Sequence, residues 1–265
     1  MFFSDCNNMK KIKLILLFIS ISFILFSCGD DNPTNGNQTT LLPTKPGSYW
    51  VYMNYMLDSN NNRMQRNPTI DSTVVGGSIT LNDTTGSIFI TYSIDNNGTS
   101  TGDTVFYHTN KMKVFAFTNL IDYMLKDLLF GSGITYTEQW MKLVDADDED
   151  WRVYEGEIPE TSVIIGTVSG IMTAFGTNSG TETINVESNT YNARKFTIKT
   201  LFTGNFKFQN YTIPLNLERK TYLYFVENIG LAKTITESMK IEISPFPAMP
   251  IPGEEQILIR HHIAN

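Results

Sequence analysis

Alternation of apolar and polar residues is the sequence feature that most restricts the fold of this 265-residue chain. Side chains on a β-strand point alternately to the two faces of a sheet, so a period of two predicts a strand with one buried face. This alternation, or an enrichment in β-branched and aromatic residues, recurs from residue 48 onward. The predicted strands are residues 48–57, 88–94, 111–117, 151–157, 194–202, 219–226, 232–243 and 256–263. Many strands joined by short turns predict a mainly β protein, built as one curved antiparallel sheet or a half-barrel.

Turn-forming residues separate several of these strands, and one segment predicts a helix instead. The predicted turns are Asn96-Asn97-Gly98, Thr101-Gly102-Asp103, Thr203-Gly204-Asn205 and Asn228-Ile229-Gly230. Between residues 120 and 129, leucine, isoleucine and methionine recur at helical spacing, with Asn119 suited to cap the start and Gly131 the end. The apolar stripe of this one short helix is expected to cover a face or mouth of the sheet.

Two further segments have distinctive compositions. Residues 161–175 are uncharged and apolar, interrupted by Gly166 and Gly170. They favour two buried strands joined at a turn, and the alternative is a mobile flap over an apolar cavity. Residues 244–253 contain four prolines, which predict a stiff loop before the last strand.

The beginning of the chain has the features of a secretory signal peptide. Lys10, Lys11 and Lys13 form a basic head, and residues 14–26 are apolar except for two serines. A basic head followed by a short apolar run is typical of an export signal. The run is shorter than the roughly 20 apolar residues that a membrane-spanning helix needs. Residues 1–27 are therefore interpreted as a leader.

The end of the apolar run resembles a bacterial lipobox, with Leu25, a spacer, Ser27 and then Cys28. The resemblance implies cleavage before Cys28 and acylation of its thiol and of the new amine. One acyl chain holds a protein only marginally at a membrane, whereas two or more hold it stably. We therefore expect lipidation at Cys28. An aspartate directly after the lipidated cysteine would resemble an inner-membrane retention signal, and Gly29 occupies that position instead. The expected location is therefore the outer membrane, on its periplasmic or its surface-exposed face.

Composition places one domain after the anchor. Residues 28–46 are polar and rich in Pro, Gly and Asn, which predicts a lipidated flexible tether, and residues 47–265 are expected to form a single β-rich domain. The chain has two cysteines, Cys6 in the leader and Cys28 at the anchor, so no disulfide is expected. The net charge of −7 at pH 7 repels phosphate backbones, which argues against nucleic acid as a partner.

Three motifs together resemble those of lipoproteins of unknown function from Bacteroidetes-like bacteria. The motifs are Pro46-Gly47-Ser48-Tyr49-Trp50-Val51-Tyr52, the tyrosine-centred turn within residues 186–196, and the aromatic strand and turn of residues 222–233. In strand pattern these proteins are similar to half-barrel carriers of the lipoprotein-localisation (LolA/LolB-like) type. The resemblance implies a curved sheet with helical cover that can hold acyl chains, and it transfers no ligand-binding residues.

The sequence predicts no catalytic, cofactor or metal site. His261 and His262 are adjacent, so on a strand they would face opposite ways, and His108 stands alone at a strand end. The acidic run of residues 145–150 lacks the glycine and glutamate of an EF-hand loop, which favours a solvated hairpin loop over a weak calcium site.

These observations predict a non-enzymatic envelope lipoprotein that uses a membrane-tethered β domain for binding or scaffolding. An apolar or lipid ligand is one expectation, because the strand at residues 48–57 carries large side chains on both faces. Ordinary packing would also cover both faces. The alternatives are a structural or adhesive component of a cell-surface assembly, and an envelope glycan hydrolase with two facing carboxylates.

Overall fold

The computed structural model describes residues 39–65, 67–94, 100–118, 137–163, 166–243 and 247–264. The leader, Cys28, the turn predicted at residues 96–98 and the helix predicted over residues 119–131 lie outside this part of the chain. The described residues form fourteen strands. They are β1 Tyr49–Leu57, β2 Thr69–Leu81, β3 Thr84–Ile94, β4 Ser100–Asn110, β5 Lys113–Thr118, β6 Gln139–Asp145, β7 Asp150–Val163, β8 Gly166–Val186, β9 Asn189–Phe208, β10 Tyr211–Val226, β11 Gly230–Thr236, β12 Met239–Ile241, β13 Met249–Ile251 and β14 Gly253–His262.

Twelve of these strands form one antiparallel sheet in the order β6-β5-β4-β3-β2-β1-β14-β11-β10-β9-β8-β7. Strands β1 to β6 form one meander and β7 to β11 a second, and β14 joins the two by pairing with β1 and β11. The end strands β6 and β7 are consecutive in the chain. Trp151 Nε1 of β7 donates a 3.0 Å hydrogen bond to the Lys142 carbonyl oxygen of β6. The sheet therefore curls into a nearly closed barrel, which confirms the predicted curved antiparallel sheet.

The barrel core is built from aromatic side chains on the inner face of the sheet. Trp50 stacks on Phe89 with ring centroids 5.7 Å apart, and Phe196 makes an edge contact with Phe225 at 6.1 Å. Trp50 is 1% exposed and Phe196 is fully buried. Aromatic pairs of this geometry add to the hydrophobic free energy of burial.

The longest strands also carry a second hydrophobic core. Strands β8 and β9 are 21 and 20 residues long. A separate cluster covers their inner face and includes Met172, Phe202, Phe206 and, from the β12–β13 hairpin, Ile241. The predicted proline loop is therefore partly wrong, because Pro250 pairs with Lys240 inside β13. A two-stranded hairpin accepts proline because its outer edge needs no N–H donor.

Two of the predicted turns are wrong. The triplet Thr101-Gly102-Asp103 lies within β4 and Thr203-Gly204-Asn205 lies within β9. A Cβ on Gly204 would lie 2.1 Å from the Ser169 carbonyl oxygen of β8, so this glycine permits close packing of strands and does not mark a reversal. The predicted turn at Asn228-Ile229-Gly230 is confirmed, with Gly230 at a φ of 114°.

The prediction of two strands in residues 161–175 is confirmed, since β7 and β8 pair with Thr161 opposite Val168. Val168 and Met172 are buried on the inner face, whereas Ile171 and Phe175 are exposed on the outer face. The predicted burial of these strands therefore holds on their inner face and not on their outer face. Within the described ranges, no helix has the length and hydropathy of a membrane-spanning segment.

The packed part of the chain begins earlier than the predicted boundary at residue 47. The compact unit starts at Thr39, and Leu41 and Leu42 belong to the barrel core, with 0% and 7% exposure. Thr40 fixes this segment, because its carbonyl oxygen accepts a 2.8 Å hydrogen bond from Asn228 N and its own N–H donates to Asn228 Oδ1 at 3.1 Å. The last residues of the predicted tether are thus part of the fold.

Candidate functional site

The barrel interior contains an apolar chamber of about 180 Å³. Strand alternation aims its lining side chains inward from nine strands of the sheet. The largest of these side chains are Trp50, Tyr52, Phe89, Tyr107, Leu223 and Phe225. Protein interiors are normally packed to the density of organic crystals, so a chamber of this kind is a departure from ordinary core packing.

Hydrogen bonds to the β10–β11 turn hold two of these aromatic side chains in place. Trp50 Nε1 donates to the Ile229 carbonyl oxygen at 2.6 Å, and the Tyr52 hydroxyl donates to the Leu231 carbonyl oxygen at 2.9 Å. Gly230 lies between the two acceptors, and a Cβ there would lie 3.1 Å from Trp50 Nε1. Burial raises the pKa of the Tyr52 hydroxyl, which stays protonated as a donor. The opening motif and the late turn motif of the sequence therefore meet at one wall of the chamber.

A second, polar chamber of about 380 Å³ adjoins the first. Thr91 and Gln256 line both chambers. The polar chamber is otherwise lined by Asp71, Ser93, Asp103, Thr234, Thr236 and Glu254. The two chambers therefore adjoin at Thr91 and Gln256, one with a mainly apolar lining and the other lined by polar side chains.

The strand register explains why three carboxylates meet there. Asp71 of β2 pairs with Tyr52, whereas Asp103 of β4 pairs with Thr91. Glu254 of β14 pairs with Met56 of β1 and with Thr236 of β11. All three carboxylates therefore occupy inward positions of the sheet, on strands that are far apart in the sequence.

Among the described residues none of these three carboxylates forms an ion pair, and Asp103 Oδ1 accepts a 2.7 Å hydrogen bond from Thr104 N. Although Glu254 is exposed at the chamber mouth, partial desolvation by the chamber walls and repulsion from Asp71 raise its pKa, and the nearby Arg219 offsets this only partly. The Arg219 guanidinium donates to the carbonyl oxygens of Glu237 and Pro252, at 3.0 and 2.9 Å.

The next residue along β14 shows the contrast. Glu255 points to the other face, where it is 8% exposed and lies 2.5 Å from Arg63 Nε and 3.0 Å from Lys233 Nζ. Burial raises the pKa of Glu255, but the hydrogen bonds from these two cations outweigh it, and the net pKa is lowered. The charge of Glu255 is therefore neutralised by Arg63 and Lys233, whereas Glu254 lines the polar chamber.

The acidic run of residues 145–150 connects β6 and β7, and Asp145 within it is fully buried. Its Oδ2 accepts hydrogen bonds from Lys113 Nζ at 3.0 Å and Lys142 Nζ at 2.6 Å, and its Oδ1 accepts one from Asp147 N at 3.1 Å. The prediction of a wholly solvated loop is therefore wrong at Asp145. Both of its oxygens are already engaged within the protein and leave little for a calcium ion.

The structure does not bring the three histidines together. His108 Nδ1 lies 2.9 Å from the Thr85 carbonyl oxygen, and the ring of His262 stacks on Tyr49. His261 Nδ1 lies 3.6 Å from Glu187 Oε1. Across the described ranges, no group of three or more His, Cys, Asp and Glu residues is placed to hold a metal ion.

Sequence reasoning missed the carboxylates of the polar chamber. Asp103 lies in a triplet that predicts a turn, and Asp71 lies in β2, which was not among the predicted strands. Glu254 precedes the predicted start of the last strand at residue 256. One sequence feature could have indicated these residues: each is an acidic side chain on a strand face that otherwise carries mainly apolar or hydroxyl-bearing side chains.

Comparison with known proteins finds two solved structures that align with most of this chain. One is the crystal structure of a candidate lipoprotein from Parabacteroides distasonis ATCC 8503, with a TM-score of 0.46 and 14% identity, covering 84% of this chain and 99% of that chain. The other is a candidate exported protein with a YmcC-like fold from Bacteroides fragilis NCTC 9343, with a TM-score of 0.45 and 12% identity, again covering 84% and 99%.

A scan against protein-family models finds no match, and neither does a search of curated proteins. Neither of the two structural neighbours is described as a LolA/LolB-like carrier. Sequence identities of 14% and 12% do not indicate a shared function.

Proposed function

We propose that this chain is a non-enzymatic lipoprotein of the bacterial outer membrane whose β domain binds a ligand with an apolar part inside its barrel. The observation that supports this proposal is the pair of adjoining chambers. Their volumes are about 180 and 380 Å³, and small-molecule pockets in proteins span roughly 300–1,000 Å³. An apolar chamber walled by Trp50, Phe89 and Phe225 would hold hydrocarbon, because burial there removes apolar surface from water.

The membrane anchor of this proposal is Cys28. We expect the protein purified from its native membrane to carry acyl chains at this residue, and a Cys28→Ser variant to lose them. Mass spectrometry of the N-terminal peptide measures the added mass, and detergent phase partitioning measures the change from membrane-bound to water-soluble. A native peptide without acyl mass would contradict the anchor and leave the cavity proposal standing.

The cavity is tested by filling it. Val105 lines the apolar chamber, and its neighbour Thr104 is exposed on the outer face of the same strand. We expect Val105→Phe to reduce the amount of co-purifying ligand at least about tenfold without loss of stability, since the new ring occupies the ligand's space. Native mass spectrometry after gentle purification measures occupancy.

Thr104→Phe is the matched control, because it adds the same side chain to the same strand outside the chamber. This variant should keep the wild-type occupancy. Equal occupancy in Val105→Phe and wild type, or an interior that is empty in every preparation, would contradict the binding proposal.

A second candidate function, hydrolysis of envelope glycans, is favoured by one observation. Glu254 and Asp71 share the polar chamber, and the raised pKa of Glu254 is the property of a general acid beside an ionised carboxylate. Release of reducing sugars from peptidoglycan or envelope polysaccharide, abolished in Glu254→Gln, would establish this candidate over the non-enzymatic one. Equal release by wild type and Glu254→Gln would dismiss it.

A further inference from the structure

The apolar chamber is short in the direction of the strands. No described strand contributes more than two of the lining side chains, and where a strand contributes two they are successive inward positions. Trp50 and Tyr52 of β1 are one such pair, and Phe89 and Thr91 of β3 are another. Successive inward positions on a strand lie about 7 Å apart. The chamber is therefore about two layers of side chains tall, with the barrel wall around it.

The volume of the chamber, about 180 Å³, limits its ligand in the same way. An engineered apolar cavity of about 150 Å³ in another protein binds benzene. A chamber only slightly larger accommodates one ring or two fused rings. A sixteen-carbon acyl chain has more than twice the carbon atoms of benzene, and its extended form is much longer than two layers of side chains. The chamber is thus too small to enclose an acyl chain of a membrane lipid.

The walls of the chamber are rich in aromatic rings. Phe89 stacks on Trp50 with ring centroids 5.7 Å apart and meets the edge of Tyr107 at 4.9 Å. Phe225 and Tyr52 add two further rings to the lining. Stacked and edge-to-face contacts between rings contribute more than the burial of the same area alone. A flat ring can form such contacts with these walls, whereas a saturated chain gains only from its burial.

One end of the chamber is polar and accessible. Thr73, Thr91 and Gln256 are half-buried, whereas Trp50 and Phe89 are buried. The hydroxyl oxygens of Thr73 and Thr91 lie 2.8 Å apart, and the Gln256 amide offers both donors and an acceptor. None of the described residues that line the apolar chamber carries a charge at neutral pH. This end can therefore form hydrogen bonds with an uncharged polar group, but it offers no partner to a buried charge.

We propose that the apolar chamber binds a compact compound of one or two fused rings with a single uncharged polar group, and that it excludes the acyl chains of membrane lipids. The ring lies among Trp50, Phe89 and Phe225, and its polar group contacts Thr91 or Gln256. This inference rests on the proposed binding function and names the class of its ligand.

The test compares two ligands that each have ten carbons and one hydroxyl: 2-naphthol, which is flat and bicyclic, and 1-decanol, which is an unbranched chain. Equilibrium dialysis measures their binding to the native lipidated protein. The same uncharged detergent is present on both sides of the membrane, so uptake by micelles cancels. Val105→Phe, which fills the chamber, identifies the binding that belongs to the chamber, and Thr104→Phe is its control.

We expect the affinity for 2-naphthol to fall at least about tenfold in Val105→Phe and to stay at the wild-type value in Thr104→Phe. The affinity for 1-decanol should differ by less than about twofold among the three proteins. A loss of 1-decanol affinity in Val105→Phe as large as that for 2-naphthol would overturn the ring proposal and leave the binding proposal intact. Unchanged binding of both ligands in Val105→Phe, together with an unchanged amount of co-purifying ligand, would contradict the binding proposal itself.

Gln256→Leu tests the contact with the polar group. Leucine has a similar volume and no hydrogen-bonding group. We expect this variant to lose about threefold to tenfold in affinity for 2-naphthol. Its affinity for naphthalene, the same ring system without the hydroxyl, should stay the same or rise. The matched control is Gln139→Leu, on an exposed side chain at the start of β6, which should change neither affinity. Equal losses for 2-naphthol and naphthalene in Gln256→Leu would overturn the assignment of Gln256 to the hydroxyl.

The charge of the polar group gives a third readout. 2-Naphthoate carries a carboxylate on the same ring system. We expect it to bind at least about tenfold more weakly than 2-naphthol at neutral pH, because the described linings of both chambers contain no lysine or arginine. Equal affinities for 2-naphthoate and 2-naphthol would overturn the requirement for an uncharged ligand.

Discussion

Replacing Trp50 by alanine is expected to lower the free energy of unfolding by about 3–5 kcal/mol, the range for truncation of a large buried aromatic side chain. Trp50 is 1% exposed, stacks on Phe89 and donates its indole N–H to the Ile229 carbonyl oxygen. The substitution removes all three contributions and leaves that carbonyl without its partner. Urea denaturation followed by circular dichroism measures the loss.

Trp50→Phe is the control, because it keeps an aromatic ring and removes only the indole donor and part of the volume. Its cost should be less than half that of the alanine variant. A loss below about 1 kcal/mol for Trp50→Ala would show that the opening motif does not fasten the barrel wall to the β10–β11 turn.

Replacing Asp145 by asparagine is expected to lower the free energy of unfolding at neutral pH by about 2–4 kcal/mol, because it leaves two lysines facing an uncharged, buried side chain. Asp145 is fully buried, whereas Lys113 and Lys142 are 31% and 26% exposed and retain contacts with Asp147 and Asp148. Because the two lysines keep these contacts, the loss of unfolding free energy is expected to be smaller than for a fully buried ion pair.

The pH dependence of this loss follows from the pKa of Asp145. Burial raises that pKa, but hydrogen bonds from Lys142, Lys113 and the Asp147 backbone outweigh it and hold the pKa well below the value of about 3.9 for an unfolded aspartate. A depressed carboxyl pKa contributes stability that is present above the unfolded value and is lost as the pH falls toward the folded one.

The stability difference between wild type and Asp145→Asn should therefore be full at pH 7 and shrink below about pH 4. Denaturation midpoints across this pH range measure it. Asp147→Asn, on an exposed side chain, should change stability by no more than about 0.5 kcal/mol. A difference that stays constant down to pH 2 would rule out the ion pairs as its cause.

The β content and the order of several elements could be predicted from the sequence because they depend on local chemistry. The aromatic alternation of residues 48–57 predicts β1, and Asn228-Ile229-Gly230 predicts the turn that the structure confirms. Both follow from backbone preferences that act over a few residues. Strand β2 escaped prediction because threonine, serine and glycine dominate it and few of its side chains are deeply buried.

The lipidation prediction at Cys28 and the helix predicted over residues 119–131 concern parts of the chain outside the described residues, so both remain predictions. Leu41 and Leu42 show a different limit. They lie in a polar, proline-bearing segment that predicts a tether, yet they are buried in the barrel core. Leu41 and Leu42 are buried by residues distant in the sequence, such as Trp50. The local sequence pattern around a short apolar pair therefore does not predict its burial.

By itself, the sequence determined that this protein is a β-sheet protein, since side-chain alternation is a property of the chain alone. Only the tertiary structure decided that Asp71, Asp103 and Glu254 share one chamber beside an apolar cavity. The physical reason is that β14 pairs with both β1 and β11, which places residues from opposite ends of the chain on adjacent strands. Strand register is a long-range property, and one residue of slip would turn each of these carboxylates to the outer face.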